Sequence, residues 1–155
     1  MEINDVLRAA EDVIRGRYPE DPVYWDRLPK NFRRPSFTLE LQALEAADMN
    51  RFLQRLTATV LVTCYVKADD YSDSSREALN ARLDGVTALF APGFLRVGKR
   101  AVTVNAMKGI GSPLASEVTI VFSWTDQRPA VSPGPAAPSA EHYSLRVQAK
   151  TNSER

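Results

Sequence analysis

The sequence predicts an α+β domain, a single antiparallel-dominated sheet with two helices on one face in the order α-β-β-β-α-β-β. Three observations carry that prediction. Two segments repeat apolar residues at helical spacing, five others alternate apolar and polar residues with period two, and the connections between them are short and polar. A chain of 155 residues with 44% hydrophobic content is long enough for one domain with a real core.

The first helix is read from "INDVLRAAEDVIRG", where Ile3, Val6, Leu7, Ala10, Val13 and Ile14 share one face. Asn4 is the expected N-cap, Asp5 complements the positive end of the dipole, and Gly16 is the expected left-handed exit. Prolines on both sides of Val23-Tyr24-Trp25 leave room for a short edge strand. After Pro35, Phe37, Leu39, Leu41 and Ala43 alternate with Ser36, Thr38, Glu40 and Gln42, the pattern of a half-buried strand. "EAADMN" reads as a connection or a short helical turn.

The longest strand signal is "RFLQRLTATVLVTCYV". Leu56, Ala58, Val60, Val62, Cys64 and Val66 share its apolar face, with Thr57, Thr59, Thr63 and Tyr65 opposite. Ser74 and Glu77 form a capping-box pair ahead of a second helix with the stripe Leu79, Leu83, Val86 and Phe90, which Pro92-Gly93 stop. Two strands complete the sheet. One is "FLRVGKRAVTVNAM", bent or bulged near Gly98, and the other is "SEVTIVFSW", with Val118, Ile120, Phe122 and Trp124 inward; "KGIGSPLA" between them has loop chemistry.

The folded domain is therefore expected over residues 1-126. A proline-rich linker follows at 127-140, and a C-terminal arm at 141-155 holds a strand pattern at 141-149. In that arm Tyr143, Leu145, Val147 and Ala149 alternate with His142, Ser144, Arg146 and Gln148. A tethered strand beyond a stiff linker is suited to adding to a sheet edge outside its own subunit.

The inventory of chemical groups is thin. The only histidine, His142, lies in the arm, which leaves little from which to build a Ser-His-Asp triad or a histidine-rich metal site. Cys64 is the single cysteine, so an internal disulfide is excluded, and its place on the apolar face of a strand is that of a small hydrophobe. Asp69, Asp70 and Asp73 precede a helix, where acids serve capping and the dipole. "KGIGS" lacks the Gly-Lys-Ser/Thr ending of a phosphate loop. No catalytic residue, cofactor or metal is expected.

Twenty basic against nineteen acidic residues give a net charge of +1, too little for a global field that draws in DNA or an anionic membrane. No stretch is apolar enough to span a membrane, and the charged N-terminal segment is unlike a signal peptide. Arginine outnumbers lysine fifteen to five, a balance that favours interfaces. Arg33, Arg34, Arg51, Arg55, Lys99, Arg100 and Lys108 lie near strand starts and loops without the aromatic interleaving of an RNA-binding sheet, so subunit contacts or solvated loops are their expected use. Arg33-Arg34-Pro35-Ser36 also matches a basic kinase site, but Ser36 stands at the entrance to a strand.

With this order of elements, three stretches resemble the phage tail terminator proteins: "INDVLRAAEDVIRGRYPE", "VYWDRLPKNFRRPSFTLEL" and above all "MNRFLQRLTATVLVTCYV". The resemblance spans about the first 126 residues; "PAVSPGPAAPSAEHYSLRVQAK" lies outside it. It implies a structural virion protein of the tail or neck, assembled in the host cytoplasm. Its subunits would close into a ring, commonly hexameric, that caps the tail tube, stops its polymerisation and joins the head connector, with DNA only passing through the lumen. Under that reading Arg33, Arg34, Arg51, Arg55, Lys108, Tyr143, Leu145 and Val147 are the expected subunit or tube contacts. Another head-tail connector or tail completion protein is the neighbouring alternative, and a small ligand-binding α+β domain a more distant one.

Overall fold

A computed structural model describes residues 1–69, 71 and 73–130. The elements are α1 (Ile3–Arg17), β1 (Val23–Trp25), β2 (Ser36–Asp48), β3 (Leu53–Tyr65), α2 (Arg76–Phe90), β4 (Phe94–Val97), β5 (Arg100–Gly111) and β6 (Ser116–Gln127). They form one six-stranded sheet in the order β1-β2-β3-β6-β5-β4. Every pairing is antiparallel except β1 with β2, which is parallel. The fold class is as the sequence predicts, with one strand more.

That extra strand comes from Gly98. Val97 pairs with Arg100, leaving a two-residue turn whose first residue, Gly98, has φ +59. A tight hairpin turn of this kind needs a positive φ there, which glycine adopts without a Cβ clash. The expected bend is therefore a reversal, and the irregularity in β5 is a bulge seven residues later at Asn105, between Val104 and Ala106.

A second bulge, at Gln42 between Leu41 and Ala43, changes the reading of β2. Leu41 stands opposite Val60 on the core face, but Ala43 stands opposite Thr59 on the other face, so the expected inward alternation ends at Leu41. The strand nevertheless continues to Asp48, taking in residues 45–48 that composition places in a connection. The backbone partners supplied by β3 override the weak strand propensity of Glu-Ala-Ala-Asp. For the same reason Lys108–Gly111 belong to β5, paired with Thr119 to Ser116, and the turn is confined to residues 112–115. Ser112 closes that turn, its Oγ accepting from the Ala115 N–H at 3.2 Å and donating to the Ala115 carbonyl at 2.7 Å.

The helix ends also shift by a residue or two. Glu2, not Asn4, is the N-cap of α1, and Asp5 at N3 accepts from the Glu2 N–H at 3.0 Å. Gly16 remains helical, and Tyr18 is the C-cap. Ser75 rather than Ser74 caps α2, accepting from the Ala78 N–H at 3.4 Å.

The core lies between the helices and one face of the sheet. Val6, Leu7, Ala10 and Ile14 of α1 and Val86 and Phe90 of α2 are buried with Phe37 and Leu39 of β2, Val60 and Val62 of β3, and Ile120 and Phe122 of β6. Phe90 and Phe122 meet edge to face with centroids 5.8 Å apart. Gly109 in β5 lets Leu83 of α2 pack close to that strand, since a Cβ there would stand 2.9 Å from a Leu83 methyl. The predicted linker and arm lie outside the described residues from 131 onward, and with them Tyr143, Leu145 and Val147.

Candidate functional site: two open sheet edges and a basic end

Edge strands that are too short leave long neighbours uncovered. β1 pairs only with Phe37–Leu39, so among the described residues the outer edge of β2 is unpaired from Glu40 to Asp48. On the opposite side β4 pairs only with Arg100–Thr103, and one further bond runs from the Val104 N–H to the Gly93 carbonyl at 2.9 Å. The edge of β5 is then unpaired from Asn105 to Gly111 among the described residues. Such edges present rows of backbone donors and acceptors that another strand can take up.

The sheet face away from the helices is hydroxyl-rich. Thr57, Thr59 and Thr63 of β3 stand beside Ser123, Val121 and Glu117 of β6, and Lys108 stands beside Thr119. Its charges are of both signs, Glu40, Glu45 and Glu117 with Arg55 and Lys108, so it is neither a cationic platform nor an apolar patch. Asn105 bulges out of β5 and its Oδ1 accepts from the Ser123 hydroxyl at 3.0 Å.

The basic residues singled out from the sequence fall at opposite ends of the sheet. A strand as long as β2 spans ~40 Å at ~3.3 Å per residue, with Arg33 and Arg34 before its start and Arg51 beyond its end. Arg34 is occupied locally: its guanidinium lies 5.1 Å from the Phe32 ring centre and 5.6 Å from that of Tyr65, and Nη1 donates to Ser74 Oγ at 3.4 Å. Arg33 points to solvent, while its backbone N–H donates to the Tyr24 hydroxyl at 3.2 Å. Ser36 is fully buried, which closes the kinase-site reading. Arg55 and Lys108 share the hydroxyl-rich face, where Arg55 stands opposite Thr125.

The other end, around Arg51, is continuous. The Asn50 side chain accepts from the Phe52 and Leu53 N–H groups at 2.8 and 2.9 Å and so shapes the β2–β3 turn. Phe52 stays 62% exposed with the Arg51 guanidinium 4.5 Å above its ring. The Arg128 N–H donates to the Phe52 carbonyl at 2.8 Å, and the Arg128 guanidinium meets Asp48 at 2.5 Å. Two residues back, Asp126 receives the Met1 ammonium at 3.0 Å and Arg100 at 3.4 Å. Arg100 in turn adjoins the β4–β5 turn and, with Arg8, Arg96 and Lys99, rims a groove of about 760 Å³ floored by Ala9, Val13 and Val97.

Among the described residues, two groups titrate away from their ordinary values. The hydrogen bond from the Met1 ammonium, helped by the Gln127 N–H and Arg100, lowers the Asp126 pKa against a smaller opposing effect of burial. Burial pushes the Cys64 thiol up to about 12, with Arg82 pulling weakly the other way. Arg82 itself is enclosed: it pairs with Asp21 and stacks 4.4 Å from the Tyr18 ring centre and 5.2 Å from that of Phe37. This ion pair escapes sequence reasoning because its partners are 61 residues apart. The exposed Phe52 and the open edges escape it too, since period-two runs give strand lengths but not which neighbour falls short.

Asp69 closes its own loop, its Oδ1 accepting from the Tyr71 and Asp73 N–H groups at 2.9 and 2.8 Å. Among the described residues no group of three or more His, Cys, Asp or Glu side chains could hold a metal ion. No described helix is long and apolar enough to cross a membrane.

No protein-family profile matches the chain, and no curated protein matches it. One solved structure, whose name states no activity, aligns over 85% of this chain and 99% of its own at 20% identity with a TM-score of 0.44. A likeness that loose carries no argument about function, which therefore rests on the chain's own residues.

Proposed function

We propose that the protein is a structural virion component, a ring-forming tail terminator that caps the phage tail tube, stops its polymerisation and joins it to the head connector. One observation carries the reading beside the sequence resemblance: two open edges lie on opposite sides of the same sheet. β2 and β5 run in opposite directions, because each step through β3 and β6 is antiparallel. The β5 edge of one subunit can thus receive the β2 edge of the next in antiparallel fashion. A contact between two different surfaces of one molecule repeats around an axis and forms a ring when its rotation closes, an open filament when it does not.

The offset between the edges fits closure. Lys108 stands level with Glu40 through Thr119 and Leu61, while the open part of β2 is centred on Leu44. Matching them needs a slide of about four residues, ~13 Å, across four strands of ~4.8 Å spacing, hence strands inclined by roughly 35°. Closed sheets have strand inclinations of that size. Lys108 is then a contact residue at the joint, and Arg55 faces the lumen with the hydroxyl-rich surface. With a net charge of +1 the subunit exerts little grip on a passing duplex. Under this reading the protein has no catalytic role and no cofactor.

The test is mass measurement with negative-stain imaging of the purified protein, joined to cross-linking of a Glu45→Cys/Lys108→Cys variant with a short thiol-reactive linker. Rings whose subunits become joined β2 to β5 are the expected result. A persistent monomer without affinity for tail tubes would count decisively against the reading.

A further inference from the structure

We infer that the end of the subunit formed by the β2–β3 turn, the last residues of β6 and the β4–β5 turn is the docking face for a protein partner whose surface is acidic and holds an apolar recess. This inference rests on the tail reading above, and it identifies which end of the ring meets the tube. The face is one surface, linked from Phe52 through Arg128, Asp126 and Arg100 to Lys99.

Its acids are largely consumed within the subunit. Asp48 is paired with Arg128, Asp126 with the Met1 ammonium and Arg100, and Asp5 accepts from the α1 cap. Four of its cations are not: Arg8, Arg51, Arg96 and Lys99 form no ion pair among the described residues. Glu2, Asp5 and Asp12 are the acids left without such a partner. The balance of available charge is positive, so an acidic surface is its complement.

The apolar part is equally specific. Phe52 at 62% and Met49 at 47% exposure project from the turn, and the apolar floor of the neighbouring groove lies across the same end. Aromatic and arginine side chains together are the usual anchors of protein interfaces. A nucleic acid would find a poorer match, because the cations are interleaved with paired acids and offer no continuous phosphate track. At the opposite end Arg34 is held between Phe32 and Tyr65, and the exposed Tyr71 stands in a loop with the acids Asp69 and Asp73 rather than with arginine.

The experiment mixes purified rings with tail tubes assembled without this protein and measures co-sedimentation at low and high salt. Two docking variants, Arg96→Glu/Lys99→Glu and Phe52→Ser, are compared with Lys67→Glu/Arg76→Glu at the other end, all checked for unchanged ring mass. The expected result is about tenfold weaker tube binding for either docking variant, wild-type binding that weakens with salt, and little change for the control. Docking variants that bind tubes like wild type, or a control variant that alone loses binding, would overturn the inference and leave the tail reading standing. So would loss of binding on removing residues 131–155 with no effect of Phe52→Ser, or capture of duplex DNA that the docking variants abolish while tube binding survives. Wild-type rings that ignore tubes would overturn the tail reading itself.

Discussion

Cys64 is fully buried near the end of β3, and at neutral pH its thiol stays protonated and out of reach of solvent. Thiol reagents at pH 8 should therefore leave the native protein unmodified and label it only as it unfolds, which mass spectrometry under increasing urea would follow. Because the folded thiol titrates near 12 against 9.0 for an ordinary one, its stabilising contribution is complete below pH 9 and is lost as pH rises towards 12. Two glycines give opposite expectations. Alanine at Gly85 would place a Cβ 2.0 Å from the Tyr18 hydroxyl, driving the ring from Phe37 and Arg82. Overpacking at ~1–3 kcal/mol outweighs a helix-propensity gain of ~1 kcal/mol, so Gly85→Ala should lower stability by about 1 kcal/mol in urea unfolding. Gly16 has open space around it in the last turn of α1, and Gly16→Ala should raise stability by about 0.5 kcal/mol.

Among the elements, α1 is tied to the far end of β6 by the Met1 ammonium at Asp126. A carboxyl whose pKa is lowered on folding contributes stability above its unfolded pKa of 3.8 and loses that contribution as pH falls through the folded value. Asp126→Asn should thus be less stable than wild type at pH 6, and the gap should close on acidification below about pH 4, as thermal unfolding across that range would show. How much of these elements the sequence discloses depends on what specifies them. The stripes of α1 and α2 and the alternation in β3 and β6 are legible because a buried face repeats through every turn or pair of residues. The bulges at Gln42 and Asn105 are not, because one unpaired residue reverses the faces without a compositional mark. The strand at residues 45–48 is hidden for a related reason: its pairing comes from β3, not from its own residues. As for the candidate site, the sequence supplies its arginines but not their grouping, which sets Arg33 and Arg51 at opposite ends of β2.

At the scale of the whole molecule, the described chain ends beside the docking face, with Pro129 and Ala130 next to Phe52. The arm that follows in sequence carries the alternation Tyr143, Leu145 and Val147, and a strand of that pattern suits a sheet edge outside its own ring joint, such as one on the tube. Protein truncated after Arg128 should accordingly lose ring stability or tube binding, measured by ring mass on dilution and by co-sedimentation. Unchanged behaviour in both would exclude the arm from assembly. The unequal ends of the sheet have one further consequence. Two rings of the proposed kind meeting with their docking ends together would bring cation against cation. In the proposed ring, subunits so polarised give a front and a back, and only the front carries the Phe52 anchor.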